Sequence, residues 1–114
     1  MFKFGTIVLV PFPFTDLTST KVRPALILSK TDAQAKDLIL AFITSRTHEQ
    51  GKVGRFLLGS THKYFKKTGL KVDSLICFDK LATLNKKIVL GELGMLDKEV
   101  LKKAEASFQE VFGF

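Results

Sequence analysis

The sequence predicts a small, mostly antiparallel β-barrel or strongly curved sheet, with one amphipathic helix at its C-terminal end covering an opening. Most of the chain consists of short apolar runs separated by polar, Gly- or Pro-containing segments, as is typical of many short strands. Helical periodicity is strong only after residue 96. With 114 residues, the chain has the length of one domain spanning 1–114, which can build a core without a metal or disulfide.

The first two strands are predicted on either side of a polar loop. Ile7–Val10 is apolar and β-branched, and Pro11 after it cannot donate a ladder hydrogen bond. Ala25–Leu28 is the second apolar run, with Arg23 just before it. An arginine at the mouth of a buried strand has a rigid support, and the hydroxyl-rich loop 15–20 can fold over what it binds. These features together predict an anion site.

The later elements follow from the same kind of pattern. Strands are predicted at 37–43, 53–58, 72–78 and 86–93, with a short extended segment at 81–84. Segment 47–52 is predicted to be a hairpin loop between the third and fourth strands, and 59–71 a loop or short helix.

The C-terminal helix is predicted from apolar residues spaced by three and four positions. Those residues are Val100, Leu101, Ala104, Phe108, Val111 and Phe112. Asp97 is a suitable N-cap, and Gly113 a suitable residue just past the last turn.

Composition bounds the function. The net charge of +7 and pI of 9.7 favour an anionic partner, most commonly nucleic acid, although surface lysines for solubility are the alternative.

No run approaches about 18 apolar residues and no leader is evident, so a cytoplasmic location without a membrane is expected. Cys77, in an apolar run, is predicted to be an inert core thiol. Without metal-ligand spacing, a Gly-rich phosphate loop or a Gly-x-Ser-x-Gly elbow, no cofactor is predicted.

Several stretches, in order along nearly the whole chain, carry a family resemblance. They are Gly5–Phe12, Asp16, Arg23–Ser29, Ala41–Ser45 and Asp73–Leu84. On these residues the chain resembles the MazF/PemK family of toxins from type II toxin–antitoxin systems. The resemblance implies an SH3-like barrel, a homodimer, a cognate antitoxin protein as partner, and possible operator DNA binding through the antitoxin complex.

The resemblance also implies an activity, which is metal-independent endoribonuclease cleavage of single-stranded RNA, leaving a 2′,3′-cyclic phosphate and a 5′-hydroxyl. Arg23 and Thr44 match the family's catalytic pair. A guanidinium binds phosphate through two hydrogen bonds and stays charged, and a threonine hydroxyl can donate to the same group. Alternatively, Arg23 pairs with Asp16 or a C-terminal carboxylate, and Thr44 is an ordinary strand end.

Further substrate-binding candidates are hydroxyls, cations and one aromatic residue near strand ends or in basic loops. They are Thr15, Asp16, Thr18, Ser19, Thr20, Lys21, Ser45, Arg46, Lys63 and Tyr64. The alternative for the Lys63–Tyr64 region is a solvated connection whose aromatic side chains pack inward.

Three other interpretations stay open at this level. A pair of histidines, His48 and His62, could supply acid–base catalysis in place of the arginine and threonine. The same barrel could also act without cleavage, as a topoisomerase inhibitor like the related CcdB-like toxins or as a DNA-binding autoregulator with its antitoxin. A degenerate toxin that only binds its antitoxin is a third possibility.

Overall fold

A computed structural model describes residues 2–11, 21–30 and 34–113. Over these residues the chain forms six strands and one α-helix, joined in part by 3₁₀ turns. The elements are β1 (Thr6–Pro11), β2 (Val22–Ile27), β3 (Asp37–Thr44), β4 (Arg55–Leu58), β5 (Ser74–Asn85), β6 (Gly91–Met95) and α1 (Lys98–Phe112). The 3₁₀ turns are Thr47–Glu49, Lys66–Thr68 and Lys86–Ile88. None of the helices in these ranges is long and apolar enough to cross a membrane.

The strands form one antiparallel sheet in the order β4-β5-β3-β2-β1-β6. The central position of β3 agrees with its nearly unbroken apolar sequence. The predicted hairpin at 47–52 is wrong, because β5 lies between β3 and β4 and pairs with both. The segment after β3 therefore crosses the end of β5 to reach the edge of the sheet.

Strand β5 differs from the two separate segments predicted for it, because it runs without interruption through 12 residues. Its register with β3 shifts: Phe42 pairs with Cys77, whereas Ala41 pairs with Leu81. Residues 78–80 of β5 therefore lie outside that ladder and form a bulge of three extra residues. Bulges re-aim side chains, and this one includes Asp79, which faces β4.

The ends of two other strands also differ from prediction. β2 begins earlier and includes Arg23 and Pro24. Pro24 lies opposite Leu9 of β1. The Leu9 carbonyl points away from β2, because it accepts a hydrogen bond from the Leu90 N–H. The N–H that Pro24 lacks therefore interrupts no ladder hydrogen bond with β1. The last strand begins at Gly91 rather than at residue 86, because the residues before it form a 3₁₀ turn capped by Asn85.

Both faces of the sheet are buried, which explains the apolar runs without alternation. One face includes Ile7, Leu26, Ala41 and Ile76, and it packs against α1, which contributes Val100 to the same cluster. The other face has its own cluster, formed by Val8, Val10, Ala25, Ile27, Leu38, Leu40 and Phe42.

The ends of α1 confirm the predicted caps. The Asp97 carboxylate accepts a hydrogen bond from the Glu99 N–H at 2.9 Å, and Gly113 has a left-handed conformation with φ of 71°. Ser107 is buried on the face of α1 that meets the sheet, whereas Phe112, predicted for that face, is largely exposed. Its ring nevertheless contacts the ring of Phe108 in a tilted arrangement, with centroids 4.8 Å apart.

The turn Lys66–Thr68 packs closely against β6, and a glycine makes this contact possible. A Cβ at Gly94 would overlap the Lys67 carbonyl oxygen and lie 2.7 Å from the Thr68 carbonyl carbon. Because these atoms belong to the backbone, Gly94→Ala is expected to lower the free energy of unfolding by about 2 kcal/mol in urea titrations. Gly59→Ala is the control, since a Cβ there meets nothing within 4 Å. Equal stabilities of the two variants would contradict this contact.

Candidate active site

The register of the sheet brings Arg23 and Thr44 to the same place. β2 and β3 pair Ala25 with Phe42. Continuing this antiparallel register by two residues places Arg23 opposite Thr44, on the same face of the sheet. Both side chains line one cavity of about 280 Å³. The two residues predicted to act together are therefore neighbours, although 20 residues separate them in the chain.

The cavity is cationic with an apolar floor. Phe42 and Cys77, side by side in the β3–β5 ladder, form part of that floor. The charged side chains that line it are Lys21, Arg23, Arg46, Arg55, Lys80 and Glu49. Cations from several strands and loops converge here, so the cavity favours a group with more than one negative oxygen.

The Thr44 hydroxyl is held by the backbone that follows it. The Arg46 N–H donates a hydrogen bond to Thr44 Oγ1 at 3.1 Å. The oxygen accepts in this interaction and keeps its own proton as a donor. A hydroxyl oriented in this way can donate to an anion held by Arg23.

A buried arginine closes one side of the cavity. The side chain of Arg55 is 1% exposed, and its guanidinium donates to both carboxylate oxygens of Asp79 at 2.7 and 3.0 Å. A third hydrogen bond reaches Glu49 Oε1 at 2.8 Å. The burial of the charge is therefore balanced by two carboxylates.

This network changes the pKa of every member. The hydrogen bond to Asp79 raises the pKa of Arg55, and the hydrogen bond from Arg55 lowers the pKa of Glu49. Burial alone would raise the pKa of Asp79, but the hydrogen bond and charge of Arg55 outweigh it and the pKa is lowered. All three groups therefore stay ionised at neutral pH. Burial raises the pKa of Cys77, which agrees with the predicted unreactive core thiol.

The other predicted residues are distributed over different surfaces. Lys21 and Arg46 line the cavity, and Ser45 is exposed beside it. Tyr64 lies elsewhere, since its hydroxyl donates to Glu99 of α1 at 3.0 Å, and Lys63 sits over its ring at 4.9 Å. The predicted loop candidates Thr15, Asp16, Thr18, Ser19 and Thr20 lie outside the described residues, as does the alternative pairing of Arg23 with Asp16.

The two histidines do not meet. His48 is exposed in the turn Thr47–Glu49, whereas His62 accepts a hydrogen bond from the Tyr64 N–H and packs against that ring. Neither side chain lines the cavity that contains Arg23. The arrangement therefore gives no support to joint acid–base catalysis by this pair. In the three described ranges, no group of three or more His, Cys, Asp or Glu side chains is placed to hold a metal ion.

A curled six-stranded antiparallel sheet with one C-terminal helix is the fold of the MazF toxins. The Mycobacterium tuberculosis toxin MazF-mt6 matches with a TM-score of 0.74 and 17% identity, over 96% of this chain and 97% of that one. An endoribonuclease in complex with its cognate antitoxin, from a mycobacterial species, matches with a TM-score of 0.73 and 17% identity, over 100% of this chain and 97% of that one. The MazE–MazF complex (Form-II) of Deinococcus radiodurans matches with a TM-score of 0.73 and 19% identity, over 98% of this chain and 96% of that one.

The sequence itself establishes the family. Residues 3–112 match the profile described as "PemK-like, MazF-like toxin of type II toxin-antitoxin system". The chain therefore belongs to the PemK-like, MazF-like toxin family of type II toxin–antitoxin systems, as the resemblance predicted. A sequence comparison with curated proteins gave no match.

Proposed function

We propose that this protein is a growth-inhibiting toxin that cleaves single-stranded RNA as a metal-independent, sequence-selective endoribonuclease. The observation that carries the proposal is that Arg23 and Thr44 line the same cationic cavity. Structural relatives include proteins named as endoribonucleases. Together, the fold and this pair of donors suit a reaction on a phosphodiester.

For this reaction the protein needs to align the reacting groups and stabilise the charge that develops on the phosphate. The ribose 2′-oxygen attacks the adjacent phosphorus and loses its proton, while the P–O5′ bond breaks and O5′ gains a proton. The products are a 2′,3′-cyclic phosphate and a 5′-hydroxyl. Arg23 stabilises charge on the non-bridging oxygens, and Thr44 donates a hydrogen bond to the same phosphate. An unpaired strand suits the site, because its backbone can bend into a cavity and its bases can be splayed apart.

The proposal is tested by incubating the purified protein with a long single-stranded RNA in EDTA. We expect cuts at a recurring short sequence. The new 5′ ends should accept a labelled phosphate from polynucleotide kinase without prior phosphatase treatment, because they carry hydroxyls. Intact RNA, or 5′-phosphate ends, would contradict the proposed reaction.

Neutralisation by an antitoxin is part of the same proposal. Two of the matching structures are complexes with an antitoxin or with MazE. We infer that a cognate antitoxin protein binds this chain and silences it in the cytoplasm. Co-expression with that partner is expected to restore growth, and continued arrest with a stable complex present would contradict this role.

An apolar groove supports the inferred homodimer. It has a volume of about 750 Å³ beside α1, and two of its side chains are strongly exposed: Phe4 at 48% and Ile39 at 43%. The groove also includes Lys102 and Glu105, whose opposite charges can pair reciprocally across a twofold axis. We therefore assign this surface to a second copy of the chain, because burying it would remove exposed apolar area from water.

Light scattering tests this surface. The wild-type protein is expected at twice the chain mass of 12.7 kDa. Ile39→Lys is expected to shift it to the monomer mass, because it places a charge in the apolar groove. Val53→Lys is the matched control, since Val53 is apolar and 59% exposed but lies outside the groove. A wild-type monomer, or a dimer that Ile39→Lys leaves intact, would contradict the assignment.

A further inference from the structure

We propose that Glu49, held in place by the buried Arg55, is a positioning residue that orients Arg46 over the cavity containing Arg23 and Thr44. The inference rests on the proposed RNA cleavage and adds to it two residues, Glu49 and Arg55, that act by holding Arg46 in place. Sequence patterns did not single out either residue.

The first step is the rigidity of the anchor. The guanidinium of Arg55 is 1% exposed and makes two hydrogen bonds to Asp79. Such a fork has one geometry, so the remaining nitrogen points in a fixed direction. That nitrogen donates to Glu49 Oε1 at 2.8 Å. Glu49 is therefore fixed from inside the protein, although it lies in a surface turn.

The second step is what the other carboxylate oxygen does. Glu49 Oε2 lies 3.4 Å from Arg46 Nε and 3.5 Å from Lys52 Nζ. Arg46 lines the cavity with Arg23, whereas Lys52 does not. The carboxylate thus links a buried, immobile cation to an exposed cation of the site. Because Arg46 is 67% exposed, its guanidinium has many accessible orientations, and the link restricts it to those that lie over the cavity.

The third step is the backbone of the same turn. The Glu49 N–H donates to the Arg46 carbonyl at 3.0 Å, and the Arg46 N–H donates to Thr44 Oγ1 at 3.1 Å. The hydroxyl, the cavity cation and the anchored carboxylate therefore lie within one hydrogen-bonded segment. Releasing Glu49 from its position loosens the residues that meet the phosphate.

Charge and stability both indicate a function for this arrangement. Replacing a whole buried ion network by apolar residues is often neutral or stabilising, so stability alone does not explain the presence of this network. A carboxylate beside a phosphate-binding cavity also opposes RNA binding by charge repulsion. Glu49 should therefore improve the chemical step while weakening substrate binding, a combination that a merely structural residue does not produce.

The test is steady-state kinetics of Glu49→Gln on an RNA containing the mapped cleavage sequence. We expect kcat to fall about tenfold, because a small loss of alignment is costly, while KM stays constant or falls. The melting temperature should change little, since the amide oxygen of the substituted side chain can still accept from Arg55, which also keeps both hydrogen bonds to Asp79. Lys52→Gln is the matched control: Lys52 contacts the same oxygen from the same spacing, and its removal should leave kcat and KM unchanged.

A double-mutant cycle with Arg46→Gln identifies the route. If Glu49 acts through Arg46, adding Glu49→Gln to Arg46→Gln should lower kcat no further. Three outcomes would each overturn the positioning role: an unchanged kcat in Glu49→Gln, equal effects of Glu49→Gln and Lys52→Gln, or effects that multiply in the double variant. In each case, cleavage by the wild-type protein would still support the proposed function. A wild-type protein that does not cleave RNA would overturn both.

Discussion

Arg23→Ala is expected to lower kcat/KM for RNA cleavage by about 10³-fold, because a preorganised charged donor at a developing oxyanion is worth this much. The fold should survive the change, since Arg23 is only partly buried and lies at the end of β2 where the pairing with β3 has already stopped. Mapping 5′ ends in EDTA at several enzyme concentrations measures the effect.

Two further variants sharpen this result. Arg23→Lys keeps the charge but loses the two-pronged geometry, so it should retain an intermediate activity, with a loss of about 10²-fold. Lys36→Ala removes an exposed cation that does not line the cavity and should cleave like wild type. If Arg23→Ala cuts RNA as fast as Lys36→Ala, Arg23 does not contact the reacting phosphate.

Arg55→Met is expected to lower the free energy of unfolding by about 3 kcal/mol at neutral pH, because it leaves two carboxylates facing each other without their buried cation. Asp79 and Glu49 both depend on this guanidinium for hydrogen bonds. Urea denaturation measures the loss. Arg46→Met is the control, since Arg46 makes only an exposed ion pair and should cost no more than about 0.5 kcal/mol.

The same comparison has a predicted pH dependence. Arg55 lowers the pKa values of both carboxyl groups in the folded protein, so the stability they contribute is present above their ordinary pKa values. That stability is lost as pH falls through the lowered values. The stability difference between wild type and Arg55→Met should therefore be largest near pH 7 and shrink towards about pH 2. A constant difference over this range would contradict the ion network.

Local features of the chain were predicted well. Apolar, β-branched runs located β1, β2 and β3, and the caps Asp97 and Gly113 located α1, because these signals depend on neighbouring residues only. Arg23 was singled out by its position at a strand end and by the family resemblance, and Thr44 mainly by the resemblance. The structure brings both to one cavity, and their catalytic role stays a prediction.

Features that depend on strand register were not predicted. Arg55 follows Val53 and Gly54 in a short run that gives no sign of burial. Its two partners lie six residues before it and 24 residues after it. They meet it only because β5 inserts between β3 and β4 and its bulge turns Asp79 towards β4.

The sequence by itself determined the strand-forming runs, the helix and its caps, and the residues able to bind a phosphate. Only the tertiary structure decided which cations share a cavity and which are neutralised. Lys63 and Lys21 look alike in the chain, but one lies over Tyr64 and the other beside Arg23. The physical reason is that charge pairing acts over a few ångströms, and strand order and register set those distances between residues far apart in sequence.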